Sequence, residues 1–423
     1  MSRGGHVAVA RRADDAAMDA PLSLQDLARA SRQLRIALVT ETFPPEINGV
    51  AMTTGRMVDG LLRLGHRVQL VRPRQGADDQ PARGEGYEEV LARGLPIPRY
   101  NHLKMGLPAR STLTRMWSLR RPDVVQVVTE GPLGWSAVAA ARKLRLPVIT
   151  EFHTNFHSYS RYYGMGWLKQ PVEAYLRRFH NKGDLCLAPT AELAAQLAAR
   201  GVRKVDVVAR GVDTALFAPA RRSEALRSSW GARPETLVLT VVGRLAAEKN
   251  LGLALRAFDA LRQRRADVRL VLVGDGPARA ALATASPETI FAGMRTGADL
   301  AAHYASADLF LFPSTTETFG NVTTEALASG LPVIGFDYAA AAERIRGGDN
   351  GCLAPLGDEQ GFVEAVLRVG TDDALRLALA ARARDSVADA DWAAVAQRLA
   401  AVIERVVDRH EARLIGAAHV AAA

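Results

Sequence analysis

Hydrophobic residues in this chain cluster in short runs, mostly valine, leucine and isoleucine. Longer stretches separate them, in which apolar positions recur every three or four residues. The first run, LRIALVT at 34–40, leads through a loop into VAMTTGRMVDGLLRLG, which ends at Gly65 as a helix stop. RVQLVRP, DVVQVVT, PVITEF, DLCLAP and VDVVAR continue the series to about residue 210. Near-continuous apolar strands without polar alternation belong to a parallel sheet covered on both faces. Residues 34–208 are therefore predicted to form one doubly wound α/β domain. A looser segment follows, GVDTALFAPARRSEALRSSWGARPET. The alternation then restarts with LVLTVVG (237–243), VRLVLVG (268–274), ADLFLF (307–312) and LPVIGF (331–336). A second doubly wound domain is predicted over 209–390. WAAVAQRLAAVIERVVDRHEARL forms a long amphipathic helix with no strand after it, and the final segment, 391–423, is expected to cross back to the first domain. Two such domains leave a cleft faced by strand C-termini, where open α/β sheets bind ligands.

Length agrees with this division, since 423 residues exceed one ordinary core. The two cysteines, Cys186 and Cys352, exclude a disulfide framework or a CxxC metal site. Both sit in apolar segments and read as buried, inert thiols of a reducing compartment. No apolar run reaches the ~18–20 residues of a membrane span. The N-terminal stretch mixes charges of both signs and lacks the apolar core of a signal peptide, so residues 1–33 are expected to be a disordered extension. A cytoplasmic protein is expected, free to rest on the inner face of the membrane.

A net charge of +9 favours anionic partners. The excess is concentrated. Residues 95–121 hold Arg99, Lys104, Arg110, Arg115, Arg120 and Arg121 with no acidic residue, alongside Met105, Met116 and Trp117. Residues 160–182 hold Arg161, Lys169, Arg177, Arg178 and Lys182 against Glu173 alone, with Tyr162, Tyr163, Trp167 and Phe179. Two readings fit such stretches: a surface helix on an anionic membrane, or a solvated helix face over ordinary core residues.

Each strand end of the second domain carries its own chemistry. VVGRLAAEKN places Arg244 directly after a strand and Lys249 five residues on, before a helix. A guanidinium and an ammonium beside a helix N-terminus suit a diphosphate. VLVGDGP is a tight strand-to-helix turn, and IFAGM, with Met294, is able to line a flat base pocket. In TTETFGNVTTE, Glu317 lies in the loop and Glu325 inside the next helix. A helix starting near Asn321 points backbone N–H groups of Phe319, Gly320, Asn321 and Val322 at phosphate oxygens. Glu325, about one turn deeper, is placed to accept two bonds from a ribose diol, so the carboxylate pair reads as sugar recognition rather than hydrolysis. Asp389-Ala390-Asp391 matches the metal-binding DxD pattern, but directly precedes Trp392 and reads as a helix cap.

GRLAAEKN, GDGP and ETFGNVTTE, in this order and spacing, resemble the nucleotide-sugar domain of the retaining glycosyltransferase family 4. VTETFPPEINGVAMTTGRMVDGLLRLGHRVQLV resembles that family's first βαβ unit, and EFHTNFHSYSRYYG its histidine loop. The resemblance covers roughly residues 34–410, and its N-terminal motifs are most similar to the bacterial branch of mannosyl-, galactosyl- and sulfoquinovosyl-transferases acting on lipids. It implies the GT-B fold, two Rossmann-like domains around a cleft. It also implies roles: Arg244 and Lys249 on the diphosphate, Glu325 on the ribose, Glu317 on the transferred sugar, and backbone donors from Gly320 to Val322. By the same resemblance His153 reaches the sugar, Gly49 leaves space for the diphosphate, and Met294 lies near the base. No cofactor and no metal is expected. The expected donor is GDP-mannose, with a UDP-hexose as the alternative, and the expected acceptor a lipid or glycolipid, with a soluble acceptor as the alternative. An epimerase on the same scaffold should lack the paired glutamates. A nucleic-acid-binding protein would explain the charge but not those glutamates, and no recognition motif of the usual kinds is present, so nucleic acid is not an expected partner.

Overall fold

The computed structural model describes residues 32–46, 48–97, 100–153 and 169–422. Most of the expected N-terminal extension, most of the EFHTNFHSYSRYYG segment, and Arg99, Arg161, Tyr162, Tyr163 and Trp167 lie outside the described residues.

Among the described residues, ten strands belong to the first half: β1 (Arg35–Val39), β2 (Arg67–Pro73), β3 (Arg83–Gly84), β4 (Tyr87–Ala92), β5 (Gly94–Ile97), β6 (Tyr100–Gly106), β7 (Val124–Val127), β8 (Val148–Glu151), β9 (Leu185–Ala188) and β10 (Val205–Val207). Eight of them form a sheet in the order β10-β9-β8-β7-β1-β2-β4-β3, parallel except for β3 against β4. The second half adds β11 (Leu237–Val242), β12 (Val268–Val273), β13 (Ile290–Gly293), β14 (Leu309–Phe312), β15 (Val333–Phe336) and β16 (Gly351–Ala354). These form an all-parallel sheet in the order β13-β12-β11-β14-β15-β16. β7, β8, β9 and β14 are buried along their whole length, as their unbroken apolar runs require when helices cover both faces.

The last helix, Trp392–Ala422, packs on the first half although the segment before it belongs to the second. Val395, Leu399, Ile403, Val406 and Val407, spaced three and four apart, join Ile36, Leu38, Met57 and Leu61 in one core. Burying each such side chain contributes about 1.5–3 kcal/mol. A side chain at Gly60 would overlap Ala396, so the Gly49–Arg63 helix approaches this helix closely only because residue 60 is glycine. Asp391 Oδ1 accepts the Ala393 N–H at 2.7 Å, which is the capping role expected of the DxD match.

Two sequence expectations change. The basic stretch 95–121 is not one helix: β5 and β6 pair as an antiparallel hairpin up to Gly106, and only Arg110–Leu119 is helical. Its short strands carry charges and proline, so no apolar run announced them. Of the aromatics expected at a membrane surface, Trp117 is buried and its indole N–H donates to Gln69 Oε1 at 2.9 Å, while Phe179 is buried in the same core. Both serve the fold. Tyr175 remains partly exposed.

Candidate active site

Strand order reverses between β1 and β7 in the first sheet and between β11 and β14 in the second. Loops leaving the two strands at such a point diverge and open a crevice at their carboxyl ends. Gly49, Arg244, Lys249, Glu317 and the Phe319–Glu325 segment follow β1, β11 and β14 at these points, whereas His153 follows β8 and Met294 follows β13.

After β11, a 3₁₀ turn at Ala247–Lys249 and a left-handed Asn250 turn the chain into the Leu251–Arg262 helix. Lys249 Nζ leaves this turn and forms an ion pair with Glu317 Oε1, across to the loop after β14. Arg244 is more exposed and is paired with Glu248 one turn on. Ser314 Oγ donates to Glu317 Oε1 at 2.9 Å, and the Tyr338 hydroxyl donates to the Glu317 backbone carbonyl at 2.6 Å. Glu317 is therefore held from three sides, and the Lys249 ammonium lies at the end of the same crevice. The turn before them relies on glycine as well. A side chain at Gly274 would overlap the Gly243 carbonyl, so GDGP lets two strand-end loops touch backbone to backbone.

The helix expected near Asn321 spans Asn321–Ala328. Gly320 precedes it at φ 93°, and a Cβ there would sit 2.9 Å from the Phe312 ring, so both conformation and space call for glycine. The N–H groups of Asn321 and Val322 precede the first hydrogen-bonded turn, which Thr323 N–H closes on the Gly320 carbonyl at 3.0 Å, and they form a donor pair at the positive dipole end. Phe319 contributes backbone only, because its side chain is fully buried. Glu325 lies one turn in, where Tyr304 donates to Oε2 at 2.8 Å, and burial lifts its carboxyl to about 7. Met294 is exposed just beyond β13. Gly49 is not in a loop, as read from sequence, but is the first residue of the helix Gly49–Arg63. Asn48 caps that helix, its Oδ1 accepting from Val50 and Ala51.

His153 follows β8. Its Nε2 lies 2.8 Å from Glu151 Oε2, and its Nδ1 lies 3.2 Å from Arg210 Nη2. A guanidinium only donates, so Nδ1 supplies its lone pair and Nε2 carries the proton directed at Glu151. Gln126 donates to the other Glu151 oxygen. Both ring nitrogens of His153 are thus engaged by protein groups in this structure.

Arg210 was not read from the sequence, where VDVVAR reads simply as a strand end. It is only 5% exposed. Nη1 lies 3.5 Å from Asn321 Oδ1 and borders Gly49, the guanidinium stands 5.9 Å from the centre of the Phe319 ring, and Nε has no hydrogen-bond partner among the described residues. Burial pulls its pKa down to about 10 against the opposing fields of Glu151 and Glu317. One buried cation therefore ties the histidine of the first half to the helix N-terminus of the second. The only sequence signal was an arginine directly after an apolar strand, the same position that Arg244 occupies. Glu41 was also missed. It follows β1, accepts the Leu133 N–H at 3.1 Å, and burial lifts it to about 7.

The role expected of Glu325 from the sequence, acceptor for a ribose diol, has a testable pH dependence. Glu325 must be ionised to accept two hydroxyl protons, and its carboxyl titrates near 7. Nucleoside diphosphate affinity should rise between about pH 6 and 8, and the rise should vanish for Glu325→Gln and for a 2′-deoxy nucleotide, as followed by calorimetry. The stability effect has the opposite sign. A carboxyl raised above its unfolded value costs stability as pH climbs from about 4.5 to 7, so Glu325→Gln should melt higher than the parent above neutrality.

Residues 47–216 match the family model described as Glycosyltransferase Family 4, and residues 236–372 the one described as Glycosyl transferases group 1. A GDP-mannose-dependent alpha-mannosyltransferase of Mycobacterium tuberculosis is 36% identical over 89% of this chain and 98% of its own. Another with that description, from Mycolicibacterium smegmatis, is 34% identical over 90% of this chain and 100% of its own. The sulfoquinovosyl transferase SQD2 of Arabidopsis thaliana is 29% identical over 92% and 76%. Sucrose-phosphate synthase from Thermosynechococcus elongatus superposes with a TM-score of 0.72 at 17% identity, over 89% of this chain and all of its own. HepE of Anabaena, solved in complex with UDP, gives 0.69 at 20% identity, over 88% and 100%. At these identities the structural likeness concerns the fold alone.

Proposed function

Because the chain belongs to glycosyltransferase family 4 and has the GT-B fold, we propose that it moves a hexose from a nucleoside diphosphate sugar, GDP-mannose, to a hydroxyl of a lipid or glycolipid, with retention and without a metal ion. The observation that carries this is the Lys249–Glu317 pair, set beside the Asn321 helix N-terminus with Glu325 one turn deeper. These groups match the parts of a donor in order: cation and helix dipole for the diphosphate, Glu325 for the ribose, Glu317 for a sugar hydroxyl. GDP-mannose as donor is supported by the two GDP-mannose-dependent relatives, and a lipid-type acceptor by the alpha-monoglucosyldiacylglycerol synthase of Streptococcus pneumoniae, 30% identical over 71% of this chain and 70% of its own.

In this mechanism the bond from the anomeric carbon to the diphosphate breaks as the acceptor oxygen bonds to the same face. The acceptor proton passes to the departing phosphate oxygen. Lys249, Arg244 and the helix N-terminus neutralise the charge that develops there, which is the role a divalent ion would otherwise fill. A covalent route would need a free carboxylate beside the anomeric carbon. Glu317 is held by Lys249 and Ser314, and Glu151 by Gln126 and His153, so both act better as fixed acceptors than as nucleophiles. Among the described residues, no helix is long and apolar enough to cross a membrane. Attraction of the exposed arginines Arg177 and Arg178 to anionic lipid would bring the cleft to a lipid acceptor from the cytoplasmic face.

A panel of nucleotide sugars tests the proposal. GDP-mannose should be consumed faster than UDP-hexoses, at a rate unchanged by EDTA, and mannose should appear on an added diacylglycerol or glycolipid. Faster turnover of a UDP-hexose would overturn the donor. Activity lost in EDTA and restored by Mn²⁺ would overturn the metal-free reaction. Product formed only on soluble acceptors would overturn the lipid acceptor.

A further inference from the structure

A second basic site lies at the other end of the first sheet. A cavity of about 410 Å³ is lined by Arg35, Arg67, Arg120 and Arg121, with Glu88 as its one acidic residue. Arg35 and Arg67 open β1 and β2 and face each other in register. The carboxyl ends of these strands lead to the crevice described above, so the cavity is at least about 13 Å from it along β1, at roughly 3.3 Å per residue.

The arginines are not used up by protein partners. Arg120 pairs with Glu88 at 3.3 Å, but Glu88 also accepts from Gln69 at 2.5 Å. Arg121 donates to the Arg145 carbonyl at 3.1 Å, which leaves its charge unbalanced. The nearby carboxylate of Asp123 accepts the backbone N–H of Arg35, not its guanidinium. Among the described residues, the guanidinium groups of Arg35 and Arg67 have no partner of their own. Like charges on neighbouring strands oppose folding. Four guanidinium groups, against Glu88 in the lining and Asp123 beside it, therefore leave an excess of positive charge that the fold does not neutralise. Arginine's planar fork fits phosphate oxygens two at a time, and several forks converging on one cavity favour a tetrahedral dianion over chloride.

We infer that this cavity binds a phosphate group, of a soluble phosphorylated molecule or of a lipid headgroup, at a site separate from that of the sugar donor. Leu119 stands beside Arg120 at 79% exposed, an apolar contact available to either ligand.

The test uses the whole protein with excess GDP, so that the donor loops are occupied. Inorganic phosphate is titrated by calorimetry and thermal shift, with chloride at matched ionic strength as control. Separately, vesicles of phosphatidylcholine with and without phosphatidic acid are sedimented with the protein. Arg35→Gln/Arg67→Gln should weaken phosphate or vesicle binding at least about 10-fold, the loss of one or more charge-assisted bonds. Its unfolding midpoint without phosphate should match or exceed the parent's, because the repulsion is gone. A response to free phosphate identifies a soluble ligand, whereas binding to phosphatidic acid vesicles alone identifies a headgroup. Equal binding by parent and variant, or a response to chloride as large as that to phosphate, overturns the site. Turnover of the sugar donor, which tests the proposed function, stands apart from all these readouts.

Discussion

Lys249→Ala is expected to lower kcat by about 10²–10³-fold, the loss typical when one fixed donor at a developing negative charge is removed. The lysine does two things at once. In the proposed reaction it stands where the diphosphate departs, and in the structure it neutralises Glu317, which Ser314 also holds in place. Alanine leaves Glu317 with its charge uncompensated in a partly closed crevice, facing the negative donor. Nucleoside diphosphate affinity should also fall by ~1.5–3 kcal/mol. Arg244→Ala should weaken binding by the same mechanism but less, because Arg244 is more exposed and already engaged by Glu248. Steady-state kinetics with saturating donor and calorimetry with GDP separate the two effects. If Lys249→Ala binds and turns over like the parent, the phosphate assignment fails.

Arg210→Met should separate activity from stability. Burying a guanidinium is costly, and its pKa, pulled down to about 10 by that burial, means the full cost is present at neutral pH. A methionine of similar length removes the charge together with its weak bonds, and such exchanges are often neutral for stability. The unfolding midpoint should move by no more than about 2–4 °C, the equivalent of ~1 kcal/mol. Activity should fall about 10²-fold, because nothing then fixes His153 Nδ1 or ties it to Asn321, and misplaced groups lose this much. Arg210→Lys should recover part of the rate, since it restores a cation without the fork that bridges both partners. A variant that melts far lower, with activity lost only in proportion to unfolded protein, would make Arg210 purely structural.

Much of this was legible in the chain because parallel strands announce themselves. Runs such as LFLF and VVQV are buried on both faces, so burial and sequence pattern coincide. The hairpin of β5 and β6 was hidden for the opposite reason: it stands outside both main sheets, where charge and proline are tolerated. Glu317 and Glu325 were visible because their spacing is local to one loop and helix. Arg210 was not, since its meaning comes from partners 57 and 111 residues away, His153 and Asn321. Trp117 misled for a related reason. A tryptophan among arginines looks the same in sequence whether its indole meets lipid or, as here, Gln69.

The return of the last helix to the first half means that the chain passes between the halves twice, and the two passages lie side by side. Val212 N–H donates to the Ala390 carbonyl at 2.8 Å, and a Cβ on Gly211 would sit 2.7 Å from the Trp392 ring. Two strands of covalent chain are thus fastened to each other, and the halves are joined at one seam rather than by two separate tethers. Arg210 is the residue immediately before this seam, and its guanidinium lies between His153 and Asn321. A substitution at this seam therefore bears directly on the contacts of the buried cation.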